Sequence, residues 1–321
     1  MVALTVVAKA LRPRCLMAWL LCLGAVHGAG PESDVPFIVV LGIAQDAGYP
    51  QAACAKACCA DAWADPNRRR HAACLALVDP QSGRRWLFDA TPDFKMQLRT
   101  LDRVAPPKSA PDLAGIFLTH GHIGHYSGLL HLGREVMGGR EVPVFAMPRM
   151  VRFLSGNGPW DQLVRLKDIV LQPLADGQKV ELTEGLSVTP FLVPHRDEYT
   201  ETVGYFIEGP NRAALFIPDI DKWEKWETPI ERWLAKVDVA YLDATFFAEG
   251  EIPGRNMNEI PHPFIVESMD RFAKLSPEQR GKVRFIHLNH TNPAIRPDSD
   301  ARRQIERRGF AVAEERERRS L

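Results

Sequence analysis

Short apolar runs, bounded by turn-forming residues, recur along most of the chain and predict many strands. Runs of about four to eight apolar residues between Gly, Pro, Asn or Asp are typical of buried strands. The predicted strands cover residues 37–43, 74–78, 86–88, 113–118, 144–147, 186–193, 203–208, 213–217, 237–242 and 283–286. Residues 80–83 separate the second and third of them and predict a hairpin turn.

Four segments instead have apolar residues at helical spacing and predict helices. They cover residues 93–103, 126–137, 263–274 and 300–308. The strands come in groups, with helices interspersed late in each half of the chain. This order favours an α/β fold in which two sheets form a sandwich with helices on both outer faces. No repeat or low-complexity linker divides residues 31–321, so we interpret them as one domain. Residues 314–319 carry charges of both signs, which predicts a solvated tail.

The N-terminus has a different pattern from the rest of the chain. Lys9, Arg12 and Arg14 precede an apolar run at residues 15–26, and small residues follow at 28–30. This run is too short to span a bilayer, but it is typical of a signal peptide. We therefore predict that residues 1–30 are a signal peptide and that the protein is exported to the periplasm, with no stable membrane span after its removal. A disordered start is the alternative.

The charge of the chain argues against a polyanionic partner. Forty basic residues balance forty acidic ones, so the formal net charge at pH 7 is zero. Nucleic-acid binding normally relies on a basic surface, and this balance disfavours it. We expect a small-molecule substrate, while the sequence leaves the oligomeric state open.

The sharpest chemical signal is the segment THGHIGH at residues 119–125, directly after a predicted strand. On an extended chain, residues i and i+2 point to the same side, so His120 and His122 face one ion together. His125 falls where the next helix starts and approaches from another direction. Imidazole nitrogens bind zinc and similar ions. A chance cluster of buried histidines is the alternative interpretation.

Further polar residues follow the ends of other predicted strands. They are Asp89, His195, Asp219, Asp243 and His287. Any single one is best interpreted as a turn or cap residue. Five in equivalent positions indicate a site built from strand ends and the loops that leave them.

This pattern resembles the metallo-β-lactamase superfamily, whose motif is His-x-His-x-Asp-His, followed by a His, an Asp and a final His at strand ends. The resemblance implies a four-layer αββα sandwich of two mixed sheets. It also implies a set of metal ligands: His120, His122 and His195 for a first ion, Asp219 as a bridge, and His125 and His287 for a second ion. Asp89 would brace the histidine loop from behind.

One residue departs from the motif. Gly124 stands where the superfamily carries the aspartate, so the second site lacks a carboxylate and is weakened, empty or filled by another metal. A catalytic zinc needs only three protein ligands and an open position. We expect one or two zinc ions at the active site, with manganese or iron as alternatives.

Within the superfamily, two segments resemble the protein B family of pyrroloquinoline quinone (PQQ) biosynthesis. They are LGIAQDAGYPQ at residues 41–51 and FIHLNHTNP at residues 285–293. That family lacks the first two motif histidines, which this chain keeps. The chain is also similar to the cyclic phosphodiesterase of phosphonate breakdown and to the tRNA 3′-processing nucleases. Those relatives imply that His262 is a general acid; a histidine that caps its helix is the alternative.

Three cysteines form a second cluster, Cys54, Cys58 and Cys59. Their spacing suggests a structural zinc site. In the phosphodiesterase relative, such a cluster pairs with a histidine three residues after the last motif histidine, which corresponds to His290 here. A disulfide, which export would permit, is the rival interpretation.

The sequence therefore predicts a metal-dependent hydrolase that uses metal-bound hydroxide on a small ester, amide, lactone or phosphodiester. Asp219 and His262 are the predicted catalytic residues. One alternative is a cofactor-handling or oxidative protein related to PQQ biosynthesis. The other is a binding protein that holds a metal or ligand without turnover, an interpretation kept open by Gly124.

Overall fold

The computed structural model describes residues 1–3, 34–107 and 113–321. The predicted signal peptide therefore lies outside the described residues, apart from its first three. Residues 34–321 form one compact unit, which contains all the strands and helices given below. In these described ranges, no helix has both the length and the apolar character needed to cross a membrane.

Two seven-stranded sheets form the centre of residues 34–321. The strands are β1 (Phe37–Gly42), β2 (Cys74–Asp79), β3 (Arg84–Phe88), β4 (Gly115–Phe117), β5 (Val142–Ala146), β6 (Ile169–Pro173), β7 (Val180–Thr183), β8 (Leu186–Leu192), β9 (Val203–Glu208), β10 (Ala213–Ile217), β11 (Val239–Asp243), β12 (Val283–Ile286), β13 (Ala311–Val312) and β14 (Arg318–Ser320). The first sheet has the order β14-β1-β2-β3-β4-β5-β6, and the second has the order β13-β12-β11-β10-β9-β8-β7.

Both sheets are mixed. In the first sheet β14, β1, β2 and β3 pair antiparallel, and β3 to β6 pair parallel. In the second, β7 to β10 pair antiparallel and β10 to β13 pair parallel. The helices are α1 (Ala57–Ala64), α2 (Phe94–Val104), α3 (Ile123–Tyr126), α4 (Pro148–Gly156), α5 (Trp160–Arg165), α6 (Ile230–Leu234), α7 (Ile265–Arg271), α8 (Pro277–Gly281) and α9 (Asp300–Arg307).

The first sheet is buried on both faces. Along β1, Ile38 and Val40 belong to the core between the sheets, whereas Val39 and Leu41 belong to the core under the outer helices. Alternate residues of a strand face opposite sides, so a strand that is apolar throughout requires cover on both. This arrangement confirms the predicted four-layer αββα sandwich.

An aromatic cluster joins the two sheets. The ring of Phe88 on β3 lies 5.3 Å from Tyr205 on β9 and 6.0 Å from Phe216 on β10, both edge-on. Such pairs add about 0.5–1.5 kcal/mol each to the burial of their area. The contact fixes the ends of these strands, and therefore their loops, relative to one another.

Two predicted segments differ from the structure. The predicted helix at 126–137 is wrong: α3 ends at Tyr126, and a 3₁₀ turn at Ser127–Leu132 follows it. Gly128 and Gly133 fall within the predicted span, and glycine is a weak helix former. A β-carbon on Gly128 would lie 2.2 Å from the carbonyl oxygen of Thr91, so this turn packs directly against neighbouring backbone. The C-terminal residues 314–319 are solvated as predicted, with exposed or half-buried side chains, but they are not a tail, because β14 pairs with β1.

Candidate metal centre

The predicted site residues lie on loops that leave strands of both sheets. His120 follows β4 in the first sheet. His195, Asp219 and His287 follow β8, β10 and β12 in the second. The sheets are packed face to face, so these loops meet at one edge of the sandwich and bring the side chains into contact.

The first group consists of His120, His122, His195 and Asp219. Nε2 of His120 lies 2.8 Å from Nδ1 of His122, which lies 3.2 Å from Nε2 of His195. Oδ2 of Asp219 lies 3.2 Å from the His120 nitrogen and 3.3 Å from the His195 nitrogen. Ligand atoms of a tetrahedral zinc are roughly 3.3 Å apart when Zn–N is about 2.0–2.1 Å. The group therefore has the spacing of a metal-ligand set.

The second group consists of Asp46, His125 and His287. Oδ1 of Asp46 lies 3.4 Å from Nε2 of His125 and 3.9 Å from Nε2 of His287. All three atoms are buried, and none has a hydrogen-bond partner. A buried polar atom without a partner costs about 1–3 kcal/mol. Three such atoms that converge on one point fit a bound cation.

Asp219 lies between the two groups. Its Oδ2 atom is 3.8 Å from Nε2 of His125, in addition to its contacts with the first group. Its Oδ1 atom is 3.1 Å from Nδ1 of His262. Although burial favours the neutral acid, His195 and His262 hold the pKa of Asp219 well below its usual range. One ionised carboxylate thus contacts both groups, as a ligand shared by two ions would.

Asp89 braces two of the histidines from behind. Its Oδ2 atom lies 2.7 Å from Nδ1 of His125, and its Oδ1 atom accepts from the backbone N–H of Thr119 at 2.8 Å. The Thr119 hydroxyl also lies 3.0 Å from Nδ1 of His120. A carboxylate only accepts, so His125 carries its proton on Nδ1 and directs the lone pair of Nε2 toward the second group. The contact predicted for Asp89 is confirmed.

Two more histidines, His287 and His195, have polar neighbours at Nδ1. The hydroxyl of Thr245 donates to Asp243 at 2.8 Å and lies 3.0 Å from Nδ1 of His287. Oδ1 of Asp221 lies 3.3 Å from Nδ1 of His195, which is an ion-pair contact, since neither atom has a hydrogen-bond partner. Outer partners of this type orient a ligating imidazole and fix its tautomer. Both leave Nε2 of the histidine directed at the site.

Backbone strain is concentrated here. Asp46, Asp89 and His287 have φ angles of 34°, 70° and 67°, in the left-handed region. Outside glycine such conformations are uncommon, and they persist where the surrounding structure holds them. Three of them at one site indicate that its geometry is imposed by the fold.

His262 lies at the edge of the first group, beside Asp219. Its Nδ1 atom is 2.8 Å from Oδ2 of Asp243. Burial opposes a charge on this imidazole, but Asp243 and Asp219 outweigh it and raise the pKa of His262 to about 10. By contrast, burial lowers the pKa of His120 well below its usual range. The site therefore combines a neutral imidazole, which is the form that binds metals, with an imidazole that holds a proton.

The cysteine cluster forms a third group, in which Cys54, Cys58 and His290 come together. The Sγ atoms of Cys54 and Cys58 are 3.7 Å apart, and Nδ1 of His290 is buried without a hydrogen-bond partner. These cysteines are free thiols, so the alternative of a disulfide is not what the structure contains. Cys59 is buried next to them but does not belong to the group, and its role as a ligand stays a prediction.

Sequence reasoning missed three residues of this centre: Asp46, Asp221 and Thr245. Asp46 follows no predicted strand directly and lies far from the histidine segment in sequence. Its one signal is its place inside residues 41–51, the segment that carried the resemblance to the protein B family. Asp221 and Thr245 each stand two residues after an aspartate at a strand end, where they look like ordinary turn residues.

Comparison with known proteins agrees with this geometry. The family model described as "Beta-lactamase superfamily domain" matches residues 84–288, which include the THGHIGH segment and the later strand-end residues. The chain belongs to this superfamily. Within it, coenzyme PQQ synthesis protein B of Methylorubrum populi is 30% identical over 302 residues, covering 86% of this chain and 97% of that protein. The chain therefore also belongs to the protein B family.

Solved structures of similar fold give the same result. The Zn²⁺-bound PqqB of Methylobacterium extorquens has a TM-score of 0.74 and 25% identity, covering 89% of this chain and all of that one. A diphosphatase of the PhnP family has a TM-score of 0.62 and 23% identity, over 89% of this chain and 97% of that one. The first likeness supports metal binding in this family, and the second shows a shared fold.

Proposed function

We propose that this protein is a metal-dependent hydrolase of a small ester, amide, lactone or phosphodiester. The observation that carries the proposal is the spacing of the four ligand atoms of His120, His122, His195 and Asp219, with His262 beside them. Zinc is the proposed ion, because the similar PqqB of M. extorquens was solved with bound Zn²⁺. Cys54, Cys58 and His290 are proposed to hold a separate, structural zinc.

The proposed division of roles follows from the chain's own atoms. A zinc ion held by the first group would lower the pKa of a water molecule to about 7 and polarise the oxygen of the substrate. Asp219 contributes one oxygen to the ligand set and turns the other toward His262. Because imidazole ligands add no negative charge, a bound divalent ion beside the one carboxylate of Asp219 would leave the centre with a net positive charge. An oxyanion that develops on the substrate would be stabilised by it.

His262 is the proposed proton donor to the leaving group. Asp243 holds its Nδ1 atom, which orients the ring and leaves Nε2 as the atom for proton transfer. The pKa of about 10 keeps the imidazole protonated at neutral pH, as a general acid requires. Leaving groups with poor intrinsic stability, such as alkoxides, benefit most from this donor.

A second candidate function is the handling of a quinone cofactor or its precursor. Family membership favours it, since PQQ synthesis protein B of M. populi matches this chain over nearly its full length. The retained histidine pair, His120 and His122, favours hydrolysis instead, because it completes a ligand set that a binding role does not need.

A turnover screen with the zinc-loaded protein tests the proposal. The substrates are chromogenic esters, lactones, anilides and phosphodiesters, and the variants are His120→Ala, His262→Asn and His131→Asn. His131 stacks on Phe94 away from the centre and serves as the matched control. We expect His262→Asn to lower kcat by about 10²–10⁴ with unchanged zinc content, and His120→Ala to lose zinc.

Two outcomes would overturn the proposal. If the zinc-loaded protein turns over no substrate of any class but binds PQQ with micromolar affinity or better, the second candidate replaces it. If the histidines bind no zinc at all, both the metal centre and the hydrolase are excluded.

A further inference from the structure

We propose that Asp46 is a ligand of a second metal ion, in place of the aspartate that the superfamily motif carries at position 124. The inference rests on the metal-binding part of the proposed function, and it is independent of the reaction. It reverses the expectation that Gly124 leaves the second site short of a carboxylate.

Three unpartnered atoms define the site. Nε2 of His125, Nε2 of His287 and Oδ1 of Asp46 are each buried without a hydrogen bond, and they come from three separate loops. Asp89 and Thr245 hold the opposite ring nitrogens of the two histidines. Both lone pairs are therefore directed toward the oxygen of Asp46, and a cation at this point would satisfy all three atoms at once.

The space beside Gly124 shows why the carboxylate comes from elsewhere. An ideal β-carbon on Gly124 would lie 2.4 Å from Cα of Asp46 and 2.5 Å from its Oδ1 atom. In an aspartate side chain, standard bond lengths place the carboxylate oxygen about 2.4 Å from its own β-carbon. Oδ1 of Asp46 therefore lies about as far from the ideal β-carbon of residue 124 as the carboxylate oxygen of an aspartate at position 124 would lie. Gly124 and Asp46 depend on each other: either residue 124 has a side chain or Asp46 occupies the site.

Backbone pairing brings Asp46 to this position. After β1 ends, the chain pairs with the segment after β12: the N–H of Leu288 donates to the carbonyl oxygen of Ile43 at 2.8 Å, and the N–H of Gln45 donates to the carbonyl oxygen of Leu288 at 2.8 Å. Residue 46 is thereby held beside residue 287. The positive φ of Asp46 then turns its side chain out of the extended path, and aspartate tolerates this conformation better than most residues.

The neighbouring Asp219 completes a set suited to a divalent ion. Its shared oxygen is 3.8 Å from Nε2 of His125, so the second ion would have two imidazoles and two carboxylates. Zinc, manganese and iron all accept such a mixture.

Metal content under buffered free zinc tests the assignment directly. The protein and its Asp46→Asn variant are dialysed against a series of free Zn²⁺ concentrations, and bound zinc is measured by elemental analysis. Asn keeps the shape of the side chain and tolerates the same φ, so the fold should be preserved. The matched control is Asp93→Asn, whose carboxylate accepts from the N–H of Ala72 in the neighbouring loop and lies outside the centre.

We expect the wild type to bind one zinc more than Asp46→Asn, whose second ion should bind at least about tenfold more weakly, while Asp93→Asn matches the wild type. Cobalt substitution provides a second readout: the d–d absorption of the histidine sites should fall in Asp46→Asn, and the thiolate charge-transfer band of the cysteine site should not. If wild type and Asp46→Asn have equal zinc content and equal zinc affinity, Asp46 is not a ligand, and the proposed hydrolase is unaffected. A wild type without zinc at its histidines would instead refute the metal centre itself.

Discussion

The carboxylate of Asp89 lies 2.7 Å from Nδ1 of His125 and makes this aspartate the support of the whole histidine segment. Its other oxygen accepts from the backbone and hydroxyl of Thr119, the residue before His120. Asp89 is fully buried, with a left-handed backbone. A single side chain thus sets the orientation of ligands from both groups.

Replacement of this support should weaken metal binding without removing any ligand. We expect Asp89→Ala to reduce zinc affinity by about 10–100-fold, and to lower the melting temperature, because Ala tolerates a positive φ poorly. Asp89→Asn should lose less of both. Isothermal titration with zinc measures the effect, with Asp79→Ala as control: Asp79 caps the β2–β3 hairpin and should change stability only. Unchanged affinity in Asp89→Ala would contradict the bracing role.

Gly124→Ala should disturb the second group, because the added methyl group would displace Asp46. The added β-carbon meets the backbone of Asp46, which cannot rotate away as a side chain could. We expect a loss of about 1–3 kcal/mol in the free energy of unfolding, together with loss of one zinc. Gly156→Ala is the control, because a β-carbon there meets nothing within 4 Å. If Gly124→Ala keeps both its stability and its zinc content, the loop of Asp46 does not lie where we describe it.

The cysteine cluster can be dissected by single substitutions. Cys58→Ala should lose one zinc and melt at a lower temperature, because the site joins the loop after β1 to the segment after β12. We expect Cys59→Ala to keep that zinc, since the group of close ligand atoms excludes Cys59. Cys74→Ala is the control, because this buried thiol packs in the core under the outer helices. Zinc loss in Cys59→Ala would instead make Cys59 the fourth ligand, as the sequence predicts.

Glu251 should make stability depend on pH. Burial raises the pKa of this carboxyl from 4.5 to about 7, although its hydrogen bonds with Thr291 and the N–H of Phe247 oppose the shift. An acid whose pKa is raised on folding contributes stability that is complete below about pH 4.5 and is lost as the pH rises through about 7. We expect Glu251→Gln to flatten this part of the profile in urea unfolding, and exposed Glu249→Gln to leave it unchanged. A wild-type profile that is already flat would contradict the shift.

The fold and most of the first group could be predicted because their signals are local in sequence. A strand followed by alternating histidines places His120 and His122 on one side by the geometry of an extended chain alone. His195 and Asp219 were found by their position after apolar strands. The helix predicted at 126–137 is wrong because the apolar spacing outweighed Gly128 and Gly133 in the prediction, and the approach of Gly128 to the backbone of Thr91 is a contact distant in sequence.

Asp46 shows the same limit for the site. Its role depends on the pairing of Gln45 with Leu288, a relation between the first and the twelfth strand that no window of sequence contains. The sequence motif shows that a carboxylate is missing at position 124, but only the tertiary structure shows that the carboxylate of Asp46 lies there instead. The charges at residues 314–319 predicted exposure to solvent but not the pairing of β14 with β1, which is also a contact between distant parts of the chain; there the guanidinium of Arg318 stacks over Phe37.

The ligand loops span nearly the entire chain, from the turn after β1 to the turn after β12, and this order has a consequence for how the protein would acquire its ions. A ribosome must pass β10 before the residues of the first group exist and must pass β12 before those of the second group do, and the two sheets must dock before either ligand set is assembled. Metal loading would thus be a late event, after synthesis and folding, since a site of this kind has no counterpart in the unfolded chain. The compartment in which folding is completed would then decide which ion the protein meets first.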